Sequence, residues 1–570
     1  MRPLSMRNNR STALLLLALT PVFTASSFAQ TPPSAGSLIQ QIEQGRQPAL
    51  PRKATPDKPT EPAAMPAQVG VIVTVTAFRF VGNTLLTAEQ LAPAVENFLN
   101  RPLDFNGLNQ AAAAVADVYR QAGWIVRTYL PRQDITQGIV TIQIVEAVFG
   151  GVHLEGSESS RNKLSAILDM FEAQQKKGSP LNAEALDRAL LLADDLPGVT
   201  VAGTLREGSR ERETDLVIKL ADEPLLVGEA GLDNTGSRST GSERLTANLT
   251  LNSHFGSGEL IGANAIHTRG SDYLRLGATL PVGADGWRVG ANASALSYKL
   301  IAPEFVALNG KGRSNTVGLE ASYPIIRARL KNLYFNAALD RKSFDNQSAG
   351  ATTTRYTVES TTLGLSGNLF DNFAGGGANS ASLSLVQGTL DLDGSPNQAA
   401  DATTTRTAGR FTKLRYAATR QQVITDSVSL FGSLTGQAAG KNLDSSEKFY
   451  LGGSNSVRAY PASEGGGAEG HLLTLELRWR LPAGFILTAF HDNGRVTVNR
   501  NNDYTGAASP NVISLRGSGL AAAWQSGSGP GLKLVWAHRQ GSNPNPTVSG
   551  NDQDGSHVID RLWLNASLPF

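Results

Sequence analysis

The sequence predicts a transmembrane antiparallel β-barrel of about sixteen strands, preceded by two small α/β domains of order β-α-α-β-β and by a short N-terminal helix. Three observations predict it. From about residue 225 onward, short segments of alternating polar and apolar residues are separated by clusters of Gly, Asn, Ser and Asp. Ahead of them, one pattern of residues occurs twice at an offset of about 78 residues, which marks a duplicated unit. The chain also opens with the pattern of a secretory signal, so a membrane beyond the cytoplasmic one is within reach.

At the N-terminus, Arg2, Arg7 and Arg10 precede an apolar stretch over residues 13–25, and Ser27-Phe28-Ala29 offers small residues at a cleavage site. Residues 1–29 therefore read as a signal peptide. In the segment 30–70, residues 37–44 read as one short amphipathic helix, and the proline-rich stretch 48–66 as an extended linker.

The repeat lies in 71–223. Pro102-Leu103-Asp104-Phe105-Asn106-Gly107-Leu108-Asn109-Gln110-Ala111 aligns with Pro180-Leu181-Asn182-Ala183-Glu184-Ala185-Leu186-Asp187-Arg188-Ala189. In the first unit, 71–149, residues 71–80 alternate as a strand and Thr87-Ala88-Glu89-Gln90 is a capping box opening a helix to about residue 99. A second helix over 106–121 ends before Gly123, and strands follow at 125–130 and 139–148. The second unit, 150–223, repeats this with helices at 161–175 and 182–195, a stop at Pro197-Gly198, and strands at 199–206 and 214–220.

Residues 224–570 carry the barrel pattern. Strands are expected to begin near 225, 244, 259, 272, 287, 315, 332, 356, 380, 410, 427, 472, 485, 512, 531 and 560, an even number, as a single-chain barrel requires. Leu473, Leu475, Leu477, Trp479 and Leu481 share one face, and Thr474, Glu476, Arg478 and Arg480 the other. A soluble sandwich would pattern one strand in the same way. The alternation of Leu562, Leu564, Ala566, Leu568 and Phe570 favours the barrel, because an apolar strand closing on an aromatic resembles the signal by which outer-membrane barrels are recognised for assembly. With both barrel ends in the periplasm, Pro482-Ala483-Gly484 falls at an inner turn, and the long stretch 440–471 falls outside.

Within that external loop stands Phe449-Tyr450-Leu451-Gly452-Gly453-Ser454-Asn455-Ser456-Val457-Arg458-Ala459-Tyr460, and further on Phe490-His491-Asp492-Asn493-Gly494. On these motifs the chain resembles the two-partner secretion transporters of the haemolysin and filamentous-haemagglutinin exporter family, relatives of the outer-membrane assembly factors. The loop motif is Val457, Arg458, Ala459 and Tyr460, with Ala459 where the family has Gly; the wall motif is Phe490, Asp492 and Gly494. Leu130-Pro131-Arg132-Gln133-Asp134 and Asp195-Leu196-Pro197-Gly198-Val199 resemble parts of the family's POTRA (polypeptide-transport-associated) domains. Alternation points Thr488, Phe490 and Asp492 into the lumen, where a carboxylate needs a cation. The resemblance implies that the loop folds back so that Arg458 pairs with Asp492 through two charge-assisted hydrogen bonds. It also implies that the early helix plugs the lumen at rest, although an amphipathic helix could equally serve as a periplasmic cap.

The function so implied is export of one dedicated partner, a secreted exoprotein of adhesin or haemolysin type with an N-terminal secretion domain. The client would be recognised by the POTRA domains and driven outward by its own folding. Outer-membrane lipid and the barrel-assembly machinery, which would read Phe570, are the other expected partners. An outer-membrane assembly factor is the alternative reading, disfavoured by only two POTRA units. Composition adds exclusions: 51 Lys+Arg against 49 Asp+Glu make no case for nucleic acid, and the absence of Cys removes disulfides and thiolate sites. No Gly-x-Ser-x-Gly, His-Glu-x-x-His or phosphate-binding loop is present and the seven His show no ligand spacing, so neither catalysis, metal nor cofactor is expected.

Overall fold

The computed structural model describes residues 32–44, 72–135 and 137–570; the expected signal peptide and linker lie outside them. Alternating sequence becomes antiparallel strand from Leu226–Asp233 to Asp560–Pro569, and sixteen strands close in chain order, the last pairing with the first from Asn565↔Asp233 to Pro569↔Glu229. Closure leaves no edge, the condition for backbone polar groups in a lipid environment. Leu475, Leu477 and Trp479 stand exposed on the outer wall, while Thr474 and Glu476 turn inward. Several strands begin earlier than their patterning predicts: Lys311–Arg327 at 311 rather than 315, and Ala351–Asp371 at 351 rather than 356.

The two repeated units each form a three-stranded sheet whose last strand in sequence lies in the middle, parallel to the first and antiparallel to the other. The central strands are Ile139–Glu146 and Glu213–Asp222. The duplicated motif has a local cause. Asp104 and Asn182 occupy the same place, each accepting a hydrogen bond from the helix it opens, from Gly107 N at 2.7 Å and Ala185 N at 2.9 Å. Beside them Leu103 and Leu181 are buried under those helices, Phe105–Gln121 and Ala183–Asp194. One expectation is corrected. Residues 71–80 are not one strand: Val73–Thr74 pairs with Pro102–Leu103, whereas Ala77–Val81 joins the sheet, because Val75 turns into a small core of its own with Leu103, Leu108 and Val140. The predicted first helix also closes early, at Val95, and continues as a 3-10 turn over Glu96–Phe98.

The first domain contains a buried carboxylate. Glu146 accepts from Thr84 N and Leu85 N at 2.7 and 2.8 Å, from the Tyr119 hydroxyl at 2.9 Å and from the Thr84 hydroxyl. Burial alone would raise its pKa; the donors outweigh burial and hold it below the usual glutamate range. A depressed folded value contributes stability that is present above the unfolded value of about 4.3 and is lost as pH falls through the folded one. Glu146→Ala is thus expected to lower the stability of this domain by about 3 kcal/mol at neutral pH. Urea unfolding followed by circular dichroism should show that difference shrinking below about pH 4.

The second domain is fastened to the periplasmic rim. Asp195 takes Arg327 Nε and Nη2 at 2.7 Å each, Asp187 takes Arg329 at 2.9 Å twice, and Arg188 Nη2 donates to Pro324 O at 2.9 Å. These two-toothed contacts fix orientation as well as distance.

Helix α1 (Ala35–Gln44) lies inside the barrel, against the strands Trp287–Lys299, Lys311–Arg327 and Lys331–Ser348. Ala35, Leu38 and Ile39 are buried in one cluster with wall residues Leu296, Tyr298, Phe344 and Val358. A helix filling a polar lumen needs an apolar stripe only where the wall offers one, and here the upper lumen is lined by Tyr, Phe and Leu.

Candidate functional site

The candidate site is the meeting of three elements in the lumen: α1, the external loop between the strands Val428–Ala439 and Glu469–Arg480, and the strand Phe485–Thr497. The loop descends as a narrow hairpin, Phe449–Leu451 pairing antiparallel with Gly465–Gly467. Its tip brings Arg458 to the wall. Arg458 Nε and Nη2 donate to the two oxygens of Asp492 at 2.8 and 2.7 Å, and the Arg458 backbone N donates to Asp492 Oδ2 at 3.1 Å. Thr474 Oγ1 completes four donors to that carboxylate at 3.1 Å. Asp492 is 0 % exposed and Arg458 5 %, so neither charge is dispersed by water.

Sequence reading missed part of this set. Arg458 Nη1 also donates to Glu476 Oε1 at 2.8 Å, the Arg458 carbonyl accepts from Trp563 Nε1 at 2.8 Å, and the guanidinium lies 3.5 Å from the centre of the Phe490 ring. Glu476 was readable as an inward charge on the strand after the loop, but nothing in one sequence pairs it with residue 458. The arginine therefore joins three separate strands and cannot be replaced by a point charge of the same sign.

The other motif residues shape the contact. Val457, Ala459 and Tyr460 are buried, and the Arg539 guanidinium covers the Tyr460 ring at 4.5 Å. At Ala459, where the resemblance implies Gly, φ is not in the left-handed region, so its Cβ adds no backbone strain. Its space comes from Gly517: a Cβ there would sit 2.5 Å from that of Ala459. Gly494 does the same for Leu451, whose methyl carbons lie 2.7 and 2.8 Å from where its Cβ would be. At the far side of the tip, Glu464 accepts from Asn543 Nδ2 at 2.5 Å and Gln553 N at 2.9 Å, tying the hairpin to a second external loop. Phe570 is exposed at the seam, where it exchanges two backbone hydrogen bonds of 2.9 Å with Gly228.

Helix α1 and the loop also hold each other. Gln44 donates to Tyr450 O and accepts from Tyr450 N, both at 3.0 Å, so its amide mimics a strand partner for the hairpin. Glu447, at the head of the hairpin, lies between Lys342 at 3.2 Å and Lys413 at 2.7 Å, and Lys342 reaches Glu43 of α1 at 3.4 Å. Ser34 and Ser445 hydroxyls meet at 3.0 Å. Below the two fillers a cavity of about 940 Å³ remains toward the periplasm, lined in part by Gln40, Arg288, Glu320, Arg415 and Lys533.

Comparison with known proteins decides the family. The sequence pattern of the haemolysin secretion/activation proteins ShlB/FhaC/HecB matches residues 212–519, and that of the ShlB-type POTRA domain matches residues 73–147. The chain belongs to the haemolysin secretion/activation family. It is a two-partner secretion transporter of the outer membrane, with its POTRA domains in the periplasm. Among relatives of this transporter, the heme/hemopexin transporter protein HuxB of Haemophilus influenzae is 26% identical over 541 residues, 91% of this chain and 94% of the relative. The outer membrane transporter CdiB of Dickeya dadantii (strain 3937) is 25% identical over 531 residues, 88% and 91% of the two chains. In fold it is similar to CdiB from Escherichia coli, with a TM-score of 0.71 at 20% identity over 95% of this chain and 100% of the other. The likeness to BamA from Haemophilus ducreyi lacking POTRA domains 1–3 is lower, at 0.50 and 15% identity over 87% of this chain and 100% of the other.

Proposed function

We propose that this transporter carries one exoprotein through its own lumen by exchanging α1 for the client. The client is a secreted protein of adhesin or haemolysin type with an N-terminal secretion domain. It reaches the periplasm unfolded and adds as an extended strand to the POTRA sheets. The edges available are Ala77–Val81 and Val126–Tyr129 of the first sheet, and Val148–Leu154 and Val199–Glu207 of the second; exposed Val81, Phe105, Tyr129 and Leu205 supply apolar contacts nearby. The units expected at 71–149 and 150–223, with Val148 and Phe149 belonging to the second sheet, act as the two receiving domains, 224–570 as the conduit, and 1–29 as the export signal removed beforehand. Phe570 serves barrel assembly by the host machinery in outer-membrane lipid.

The observation carrying this reading is the pair of fillers in the lumen with unequal anchoring. The loop is held by a buried arginine spanning three strands, while α1 is held by the Gln44 amide, a lysine shared with Glu447, the Ala35 N–H donated to Asn346 Oδ1 at 2.8 Å, the Ser34–Ser445 hydroxyl contact and a short apolar stripe, with no two-toothed buried ion pair among them. The weaker of the two is the part that leaves. The test is co-expression in a heterologous Gram-negative host with a large exoprotein encoded beside this transporter. The exoprotein is expected at the surface or in the medium only when the transporter is present, with the levels of other outer-membrane barrels unchanged. A fall in those barrels on depletion, without a secreted client, would restore the assembly-factor reading.

A further inference from the structure

The outer wall of the barrel is taller on one side than apolar patterning requires. On the neighbouring strands Trp287–Lys299 and Lys311–Arg327, the outward positions run from apolar residues, Val289, Ala291, Ala293 and Ala295 on one, Leu319 and Val317 on the other, to polar ones toward the cell exterior. Above Ala295 come Ser297 and Lys299; above Val317 come Asn315, Arg313 and Lys311. Pairing puts Lys299 directly opposite Lys311, both exposed on the same outer face. Opposed like charges on adjacent strands, with Cβ atoms about 5 Å apart, repel. Neither ammonium has a carboxylate within ion-pair distance among the described residues.

The cross-strand row beneath carries Asp272, Ser297, Arg313, Asp345 and Arg355. Asp345 is engaged by Arg355 at 3.1 Å and is 3.9 Å from Arg313, and Asp272 is engaged by His267. Four cations thus face two carboxylates that are already in use. The patch stands about four residues beyond the outermost apolar positions, a rise of roughly 10 Å on a strand tilted about 40°. That height corresponds to the headgroup layer of the outer leaflet, and long Lys and Arg side chains reach the boundary from there.

We propose that Lys299, Lys311 and Arg313, with Arg355, form a binding site on the outer wall for the phosphates of the phosphorylated glycolipid of the outer leaflet, lipid A. A doubly charged phosphate placed between Lys299 and Lys311 converts their repulsion into two charge-assisted contacts, and Arg313 supplies planar donors below it. The acyl chains of the same lipid then lie along Val317, Leu319, Ala293 and Ala295. The site explains why these strands continue beyond the apolar band as paired structure. It also gives the transporter a fixed lipid on the side of the barrel that carries α1, since α1 packs on the inner face of these strands.

The test is native mass spectrometry of the full chain in detergent, stripped of lipid and incubated with bis-phosphorylated lipid A or with the same lipid dephosphorylated. One phosphorylated lipid is expected to remain bound, the dephosphorylated form is expected not to, and K299Q/K311Q is expected to weaken retention by about tenfold or more. Heat-modifiable migration of the variant serves as the control that the barrel is folded. Equal retention of both lipids, or retention unchanged in folded K299Q/K311Q, would overturn the proposal. A stable adduct of inorganic phosphate at the same concentration would assign the patch to a free anion and overturn it as well.

Discussion

Replacing Arg458 by Ala is expected to reduce the secreted partner to about a tenth or less of its normal amount while the barrel still assembles. The magnitude follows from burial. Asp492 would keep only Thr474 and one backbone N as donors in a position without solvent access, and Glu476 would keep only Arg478. Removing one partner of a buried pair costs about 3–5 kcal/mol, far above the 0 to 1 kcal/mol of a surface pair. Because the sixteen wall strands do not depend on the loop for closure, that loss falls on the docking of the hairpin rather than on the barrel. Arg458→Lys is expected to restore export only in part: one ammonium cannot serve Asp492 in two-toothed fashion and also reach Glu476. The measurement is partner in the medium, normalised to heat-modifiable barrel in the membrane. Secretion at the normal level from a correctly assembled Arg458→Ala variant would remove the arginine from the mechanism.

Deleting residues 32–44 is expected to turn the resting barrel into an open channel. A helix with its side chains is about 10–12 Å across, and an extended chain needs roughly 5 by 10 Å. Removing α1 alone therefore opens a passage of sufficient width, and the loop can stay. The anchorage permits this. Leu38 and Ile39 contribute about 1.5–3 kcal/mol each by burial, and the polar ties, through Ser34, the Ala35 N–H, Glu43 and Gln44, are few. In planar bilayers the shortened chain is expected to show stable ion conductance several times that of the full chain, whereas Arg458→Ala, with α1 in place, is expected to conduct little. Equal conductance of shortened and full chains would show that α1 does not block the lumen.

The barrel was legible because lipid enforces alternation: a strand with lipid on one side and water on the other must write both in sequence. The same rule explains where the reading fell short. Toward the outer end of Ala351–Asp371 the residues are Thr352, Thr353, Thr354 and Arg355, which face no hydrocarbon, so alternation carries no signal there and the readable pattern begins five residues after the strand does. The repeated units were legible from their helix caps, Asp104 and Asn182, since a cap is a local requirement. Val73–Thr74 was not separable from Ala77–Val81, because the break at Val75 is set by a core formed with Leu103 and Val140, residues far along the chain. At the site, Arg458 and Asp492 could be paired only through the resemblance to a family; Glu476 was legible as an inward charge but not as a partner of Arg458, and Trp563 and Gly517 carry no signal of their role. Each acts through a residue at the tip of the loop, Arg458 or Ala459, and one sequence carries no record of which residues meet. Nor could the amphipathic stripe of α1 reveal whether it covers the lumen mouth or enters it; the Tyr and Phe residues that receive it come from five different strands and from the short helix Pro303–Val306.

The central claim is that α1 must leave the lumen for the client to pass, and an engineered cross-link tests it most directly. The chain has no Cys, so Ser34→Cys with Ser445→Cys introduces a single possible disulfide, at a site where the two hydroxyl oxygens already stand 3.0 Å apart. With the bond formed, secretion is expected to stop, and it is expected to resume when a reductant is added to the same cells. Undiminished secretion from fully cross-linked transporter would contradict the account, because the client would then be crossing with the helix still in place.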